Sequence, residues 1–187
     1  MKLLVLLLGL SALLADAQST PSAGLATPWD TAPMIDALST QALRLKPVLD
    51  QLTPKDWIAK GAPDTYVAQW EGAESELIYL TDSAKALEKQ PDRLTLALDT
   101  YFRVQSLDQR LRSLVDGVRT YQNPAVGDLL LGIAAENAAN RDKLRQYITD
   151  LGAAKEQEFE VADKEAQRCR GTLNKQTPSR PAAIKKK

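Results

Sequence analysis

The chain has 187 residues, its 24 Lys and Arg are balanced by 24 Asp and Glu, and it contains no histidine. Lack of histidine removes the commonest general base, the usual haem ligand and the usual first choice for a zinc or di-iron site. A single cysteine, Cys169, rules out an internal disulfide, and few aromatics beside many Ala and Leu tilt the composition toward helix.

In chain order the first feature is a leader. Met1-Lys2 precedes an apolar run from Leu3 to Leu14, and Ala15-Asp16-Ala17 places small residues where a signal peptidase reads them. Residues 1–17 therefore read as a signal peptide, and the mature chain is expected to begin at Gln18 outside the cytoplasm, periplasmic or secreted. The run falls short of the roughly twenty apolar residues that a membrane span needs. No later stretch is apolar enough either, so the mature chain is expected to lack a span. Residues 18–30 are assigned to a flexible N-terminal segment.

A first helix is predicted from Thr31, which can cap it, with Pro33 in the first turn. Ile35, Leu38, Ala42, Leu45, Leu49 and Leu52 fall at steps of three and four and draw one apolar stripe. Pro47 should kink or loosen this helix. A single helical turn is predicted around Trp57-Ile58, then a break at Gly61-Ala62-Pro63. The second stripe runs through Tyr66, Trp70, Ala73, Leu77, Leu80, Ala84 and Leu87 and ends at Gln90-Pro91-Asp92.

A third helix is predicted over about 92–121, with Leu94, Leu98, Tyr101, Val104, Leu111, Val115 and Val118 on its inner face. Asn123-Pro124 is a restart signal, a side-chain cap followed by proline in the first turn. The fourth helix is long: Val126, Leu130, Ile133, Leu144, Tyr147 and Leu151 hold the repeat, and nothing stops it firmly before Gly171.

Short breaks make these helices antiparallel neighbours. The expected fold is all-α: an up-down-up-down four-helix bundle over 31–171 with a long, coiled-coil-like C-terminal helix. An elongated three-helix arrangement is the alternative if the first helix docks elsewhere. Counting back from Asn123 pairs Leu94 with about Gly152, so residues 154–170 should project beyond their partner. That segment holds Glu156, Glu158, Glu160, Asp163 and Glu165, with only Phe159, Val161 and Ala162 as apolar contacts. It reads as a solvated helix end or as a partner-binding or dimerising arm.

Charge is unevenly spread. Arg168, Arg170, Lys175, Arg180, Lys185, Lys186 and Lys187 follow the last acid, Glu165, so a net acidic body carries a basic tail. Without a broad basic face, nucleic acid is not the expected ligand. The tail, 172–187, is predicted to be disordered; its Lys185, Lys186 and Lys187 could contact an anionic surface or serve solubility alone.

No motif identifies a reaction. No serine sits in a Gly-flanked elbow or a Ser-x-x-Lys pattern, and phosphate-binding glycine loops are missing. Carboxylates alone can cleave glycosides, but that chemistry needs a deep cleft that a narrow bundle seldom supplies. The chain is thus expected not to be an enzyme and to need no cofactor.

One constellation stands out. Asn137 and Asn140 occupy the positions that continue the apolar stripe between Ile133 and Leu144. Counting through the turns sets Asn137 opposite about Gln109 and Asp108 opposite about Glu74, so Glu74, Gln105, Asp108, Arg112, Asn137 and Asn140 are predicted to share a mid-bundle polar layer. Such a layer fixes register, as a buried Asn does in coiled coils, or lines a small-ligand pocket. Trp29 and Trp57 suit the bundle ends. Cys169, between Arg168 and Arg170, is the only residue through which a disulfide homodimer could form. The preferred function is a protein- or envelope-binding scaffold; a small-ligand-binding bundle is the alternative, and a carboxylate-only enzyme a remote one.

Overall fold

The computed structural model describes residues 28–176 and is wholly helical over its regular elements. Segments 1–27 and 177–187 lie outside the described residues, and with them the leader, most of 18–30, and Lys185, Lys186 and Lys187. The elements are α1 (Pro28–Leu43), α2 (Lys46–Leu49), α3 (Pro54–Ile58), α4 (Thr65–Lys89), α5 (Leu94–Gly117), α6 (Pro124–Glu136) and α7 (Ala138–Gln176). A π-helical turn, Val118–Gln122, joins α5 to Asn123.

α1, α4, α5 and the α6–α7 pair form an up-down-up-down four-helix bundle, with α4 against α5 as the most extensive pairing and α1 closing the ring on α7. The stripe from Ile35 to Leu52 is buried at every predicted position. So are Ala73, Leu77, Leu80, Ala84 and Leu87 of α4, and Leu130, Ile133, Leu144, Tyr147 and Leu151 of the last helices. Each such leucine removed from water contributes about 1.5–3 kcal/mol, which is what holds four amphipathic helices in one core.

Several expectations are corrected. α1 starts at Pro28, not at a Thr31 cap; Thr31 is 2% exposed inside the helix, and Pro33 sits within α1 rather than in its first turn. Proline at the start has the φ a helix needs, which moves the boundary upstream. In the first half of α5 the buried positions are Ala97, Thr100, Val104 and Leu107, while Leu94, Leu98 and Tyr101 are half-buried. Thr100 can be buried because its hydroxyl donates to the Leu96 carbonyl at 2.9 Å. At the C-terminus α7 continues through Gly171 to Gln176.

Pro47 acts as predicted, splitting the first helical run so that α2 begins at Lys46. Gly61, at φ 89°, takes the left-handed conformation that turns the chain from α3 into α4. Asn123 caps α6 by accepting a 2.9 Å bond from the Ala125 amide, with Pro124 in the first turn. The long fourth helix is interrupted at Asn137 (φ −83°, ψ −5°), dividing α6 from α7.

One end of the bundle is closed by a ring cluster. Trp57, fully buried, lies 5.9 Å from Tyr66 and 6.4 Å from Tyr121 between ring centroids, and the two tyrosines are 6.1 Å apart. Trp57 thus closes a bundle end as the sequence suggested. The side chain of Trp29 lies outside the described residues.

Candidate functional site

The predicted polar residues are carried by α4, α5, the α6–α7 break and α7, and the structure separates them: Glu74, the Asp108–Arg112 pair and Asn140 line three different open grooves, whereas Asn137 is buried in a contact between helices. Asn137, 7% exposed, donates from Nδ2 to the Leu38 carbonyl of α1 at 3.1 Å, and Asn140 Nδ2 donates to Asn137 Oδ1 at 3.0 Å. This is a clip between α7 and α1. Asn140 faces a groove of ≈460 Å³ together with Met34 and Tyr147, next to α1.

Asp108 and Arg112 stand together elsewhere, in a groove of ≈280 Å³ walled by Leu131, Ala134 and Ala138. There Arg141 donates to Asp108 at 2.5 Å. Burial pushes the Asp108 carboxyl above its ordinary range, and the Arg141 and Arg112 guanidiniums oppose that rise only in part. Gln105 is half-buried one turn earlier on α5. Glu74 lies on a third side, in a groove of ≈200 Å³ with Leu77, Ile78 and the Lys46–Asp50 pair, whose Nζ–Oδ1 separation is 2.8 Å.

Opposed helices keep the counted register, yet residues at 74 and 108 do not meet. Between α4 and α5 the contact falls to Glu76, buried, with Arg103 Nη1 at 3.4 Å and Arg110 Nε at 3.9 Å. A shift of two positions turns a helix through about 200°, so correct register with the wrong pair of residues still points side chains into different grooves. Arg141 and Glu76 were not singled out from the sequence; their only signal was charge on otherwise helical faces.

A second polar hub was equally invisible. Gln122, in the π-helical turn, accepts from the Thr53 amide at 3.1 Å and from Trp57 Nε1 at 3.2 Å, and donates to the Gln51 carbonyl at 3.0 Å. It ties the α2–α3 connection to the end of α5. Trp70 is fixed similarly, its Nε1 donating to the Leu49 carbonyl at 3.0 Å. These contacts tie the segment from Leu49 to Trp57 to α4 and to the end of α5.

The far part of α7 is exposed along its length. Leu151 is the last buried residue; beyond it Phe159 is 74% exposed, Val161 51% and Leu173 64%, and Cys169 is an exposed free thiol. From Gly152 to Gln176 this arm runs roughly 37 Å at 1.5 Å per residue. Its charges are partly matched along the helix, Lys155 to Glu158 at 3.0 Å and Lys164 to Glu160 at 3.5 Å.

Among the described residues no group of His, Cys, Asp and Glu side chains is arranged to hold a metal ion, and no helix is long and apolar enough to cross a membrane. Compared with known families, characterised proteins and solved structures, the chain matches no family model, no curated protein and no solved structure.

Proposed function

We propose that this protein is an exported, non-enzymatic helical bundle that binds another protein or a component of the cell envelope, with the α7 arm as its contact element. The observation that carries the reading is the arm itself: a helix that outruns the bundle past Leu151 and presents Phe159, Val161 and Leu173 to solvent. Large apolar side chains held in water on an ordered helix favour burial against a partner. The leader 1–17 supports export, with Gln18 as the mature N-terminus.

The competing reading is a small-ligand binder. Its best support is the groove holding Asp108, Arg112 and Arg141, where two guanidiniums and one carboxylate meet an alanine-rich wall. Drug-sized ligands generally occupy enclosed volumes of about 300–1,000 Å³, and the predicted polar residues are spread over separate open grooves instead of lining one such cavity.

Native mass spectrometry of protein purified from its source envelope separates the two. The proposal expects a chain beginning at Gln18 carrying a protein or polymer partner. A monomer with a stoichiometric small molecule supports the ligand reading instead. A product that retains Met1 to Leu14 overturns the export part.

A further inference from the structure

Along the α7 arm the apolar residues follow a spacing of their own. Phe159, Ala162, Ala166 and Cys169 succeed one another at steps of three and four, and Leu173 continues the series. Phe159, Ala162 and Cys169 are exposed and Ala166 is half-buried. The series sits on nearly the side that the bundle uses, Cys169 lying about five turns beyond Leu151, but its steps are offset from those of Leu144, Tyr147 and Leu151, whose own continuation alternates Ala154 and Val161 with Glu158 and Glu165. A heptad stripe on an exposed helix is the pattern that a second helix covers by knobs-into-holes packing.

The charges say which helix. Measured from Gly152 to Gln176, the arm has its midpoint at Lys164. Before the midpoint Glu156, Glu158, Glu160 and Asp163 outnumber Lys155; after it Arg168, Arg170 and Lys175 outnumber Glu165. A parallel, in-register pair stacks acid on acid and base on base. An antiparallel pair sets each half against its opposite.

We propose that the α7 arm pairs antiparallel with the same arm of a second copy of this chain, about a two-fold axis near residue 164. The inference rests on the reading above in taking the arm as the contact element, and it names the partner. Full overlap brings Gln176 of one copy level with Gly152 of the other, where the bundle ends and stops further sliding. In that register Phe159 faces Cys169 of the second copy, and Ala162 faces Ala166, small side chains that let the helices approach. Glu156 and Asp163 lie on the flank of Arg170 of the second copy. The arrangement is isologous, so every contact occurs twice.

Sedimentation velocity of the mature chain over a concentration and salt series, together with oxidative cross-linking, tests this. The native chain is expected to dimerise at low ionic strength and to dissociate progressively as salt screens the opposed charges. Phe159→Asp should raise the dimer dissociation constant about tenfold or more, since the change acts at two symmetric positions. The two Cys169 thiols of a pair lie ten residues apart along the axis, roughly 15 Å, so oxidation should leave native dimers uncross-linked. Phe159→Cys should cross-link efficiently to Cys169 of the second copy.

A native chain that stays monomeric at every concentration and salt overturns the proposal. Native dimers that cross-link through Cys169 as readily as Phe159→Cys does overturn it too, because they require a parallel pair or an antiparallel one whose axis lies near residue 169 instead of 164. Either result leaves the binding of a different protein or an envelope component standing if that partner is found on native chains by mass spectrometry.

Discussion

Replacing Gln122 by Ala probes the bundle end where three chain segments meet. The substitution removes the bonds to the Thr53 amide, the Trp57 indole and the Gln51 carbonyl. Thr53 and Gln51 are exposed, so water replaces their lost partner; the Trp57 ring is 0% exposed, and its N–H is left stranded. Two bonds at about 0.5–1 kcal/mol each plus one stranded donor at about 1–2 kcal/mol give a loss of about 2–4 kcal/mol. For a domain of this size that lowers Tm by about 5–15 °C. Urea unfolding followed by tryptophan fluorescence and by helical circular dichroism measures it. Gln122→Glu keeps an acceptor for both donors and should recover part of the loss. A loss below about 0.5 kcal/mol for Gln122→Ala would show that the hub does not hold this end together.

Three further outcomes follow from the packing and the charges. Gly117→Ala should destabilise, because the added Cβ would stand 2.6 Å from Tyr66 Cε1 in a ring already packed against Trp57 and Tyr121; thermal unfolding reports it, and an unchanged Tm contradicts the crowding. Replacing Asn137 and Asn140 together by Leu should leave helix content intact and shift stability by less than about 2 kcal/mol, as the bonds lost at the clip are offset by an apolar side chain at a site 7% exposed; collapse of helical dichroism would contradict this. The pH dependence should have two opposed parts. Bonds from Gln41 and Arg44 hold the Glu136 carboxyl below its ordinary value, so its contribution is present above 4.5 and lost as pH falls through the lowered value, and Glu136→Gln should flatten that acid-side loss. Burial raises Asp108, so its ionisation costs stability as pH climbs from 3.8 through the raised value, and Asp108→Asn should be no less stable than the native chain at neutral pH. Unfolding midpoints across a pH series check both, and a large loss in Asp108→Asn at neutral pH would refute the second.

Much of the fold was legible because each helix buries one face and announces it at steps of three and four. Ile35 to Leu52 and Ala73 to Leu87 are buried at the predicted residues, and Asn123-Pro124 restarts the helix where its capping chemistry placed it. Signals failed where backbone detail, not burial, decides. The break at Asn137 has no proline or glycine to mark it, and Gly117 and Pro124, which bracket the turn that carries Gln122, signal a helix end without distinguishing a π-helical turn. The polar layer dispersed for a related reason: hydrophobic stripes average over many residues and tolerate an error of one or two, whereas a polar contact depends on one side chain's direction. Hence Glu76 and Arg141, not Glu74, make the ion pairs across α5. The projecting arm was readable from helix lengths alone, since Gly152 lies where α5 runs out of partner.

Hydrogen–deuterium exchange resolved along α7, recorded on dilute protein and again on associated or partner-bound protein, tests the central claim most directly. The amides up to Leu151 should be protected throughout, while those from 153 to 176 should exchange fast alone and slow sharply on association, with the Asp108–Arg141 groove unchanged. Protection appearing at that groove while the arm stays fast, or an arm already protected in the dilute protein, would contradict the assignment of the α7 arm as the contact element.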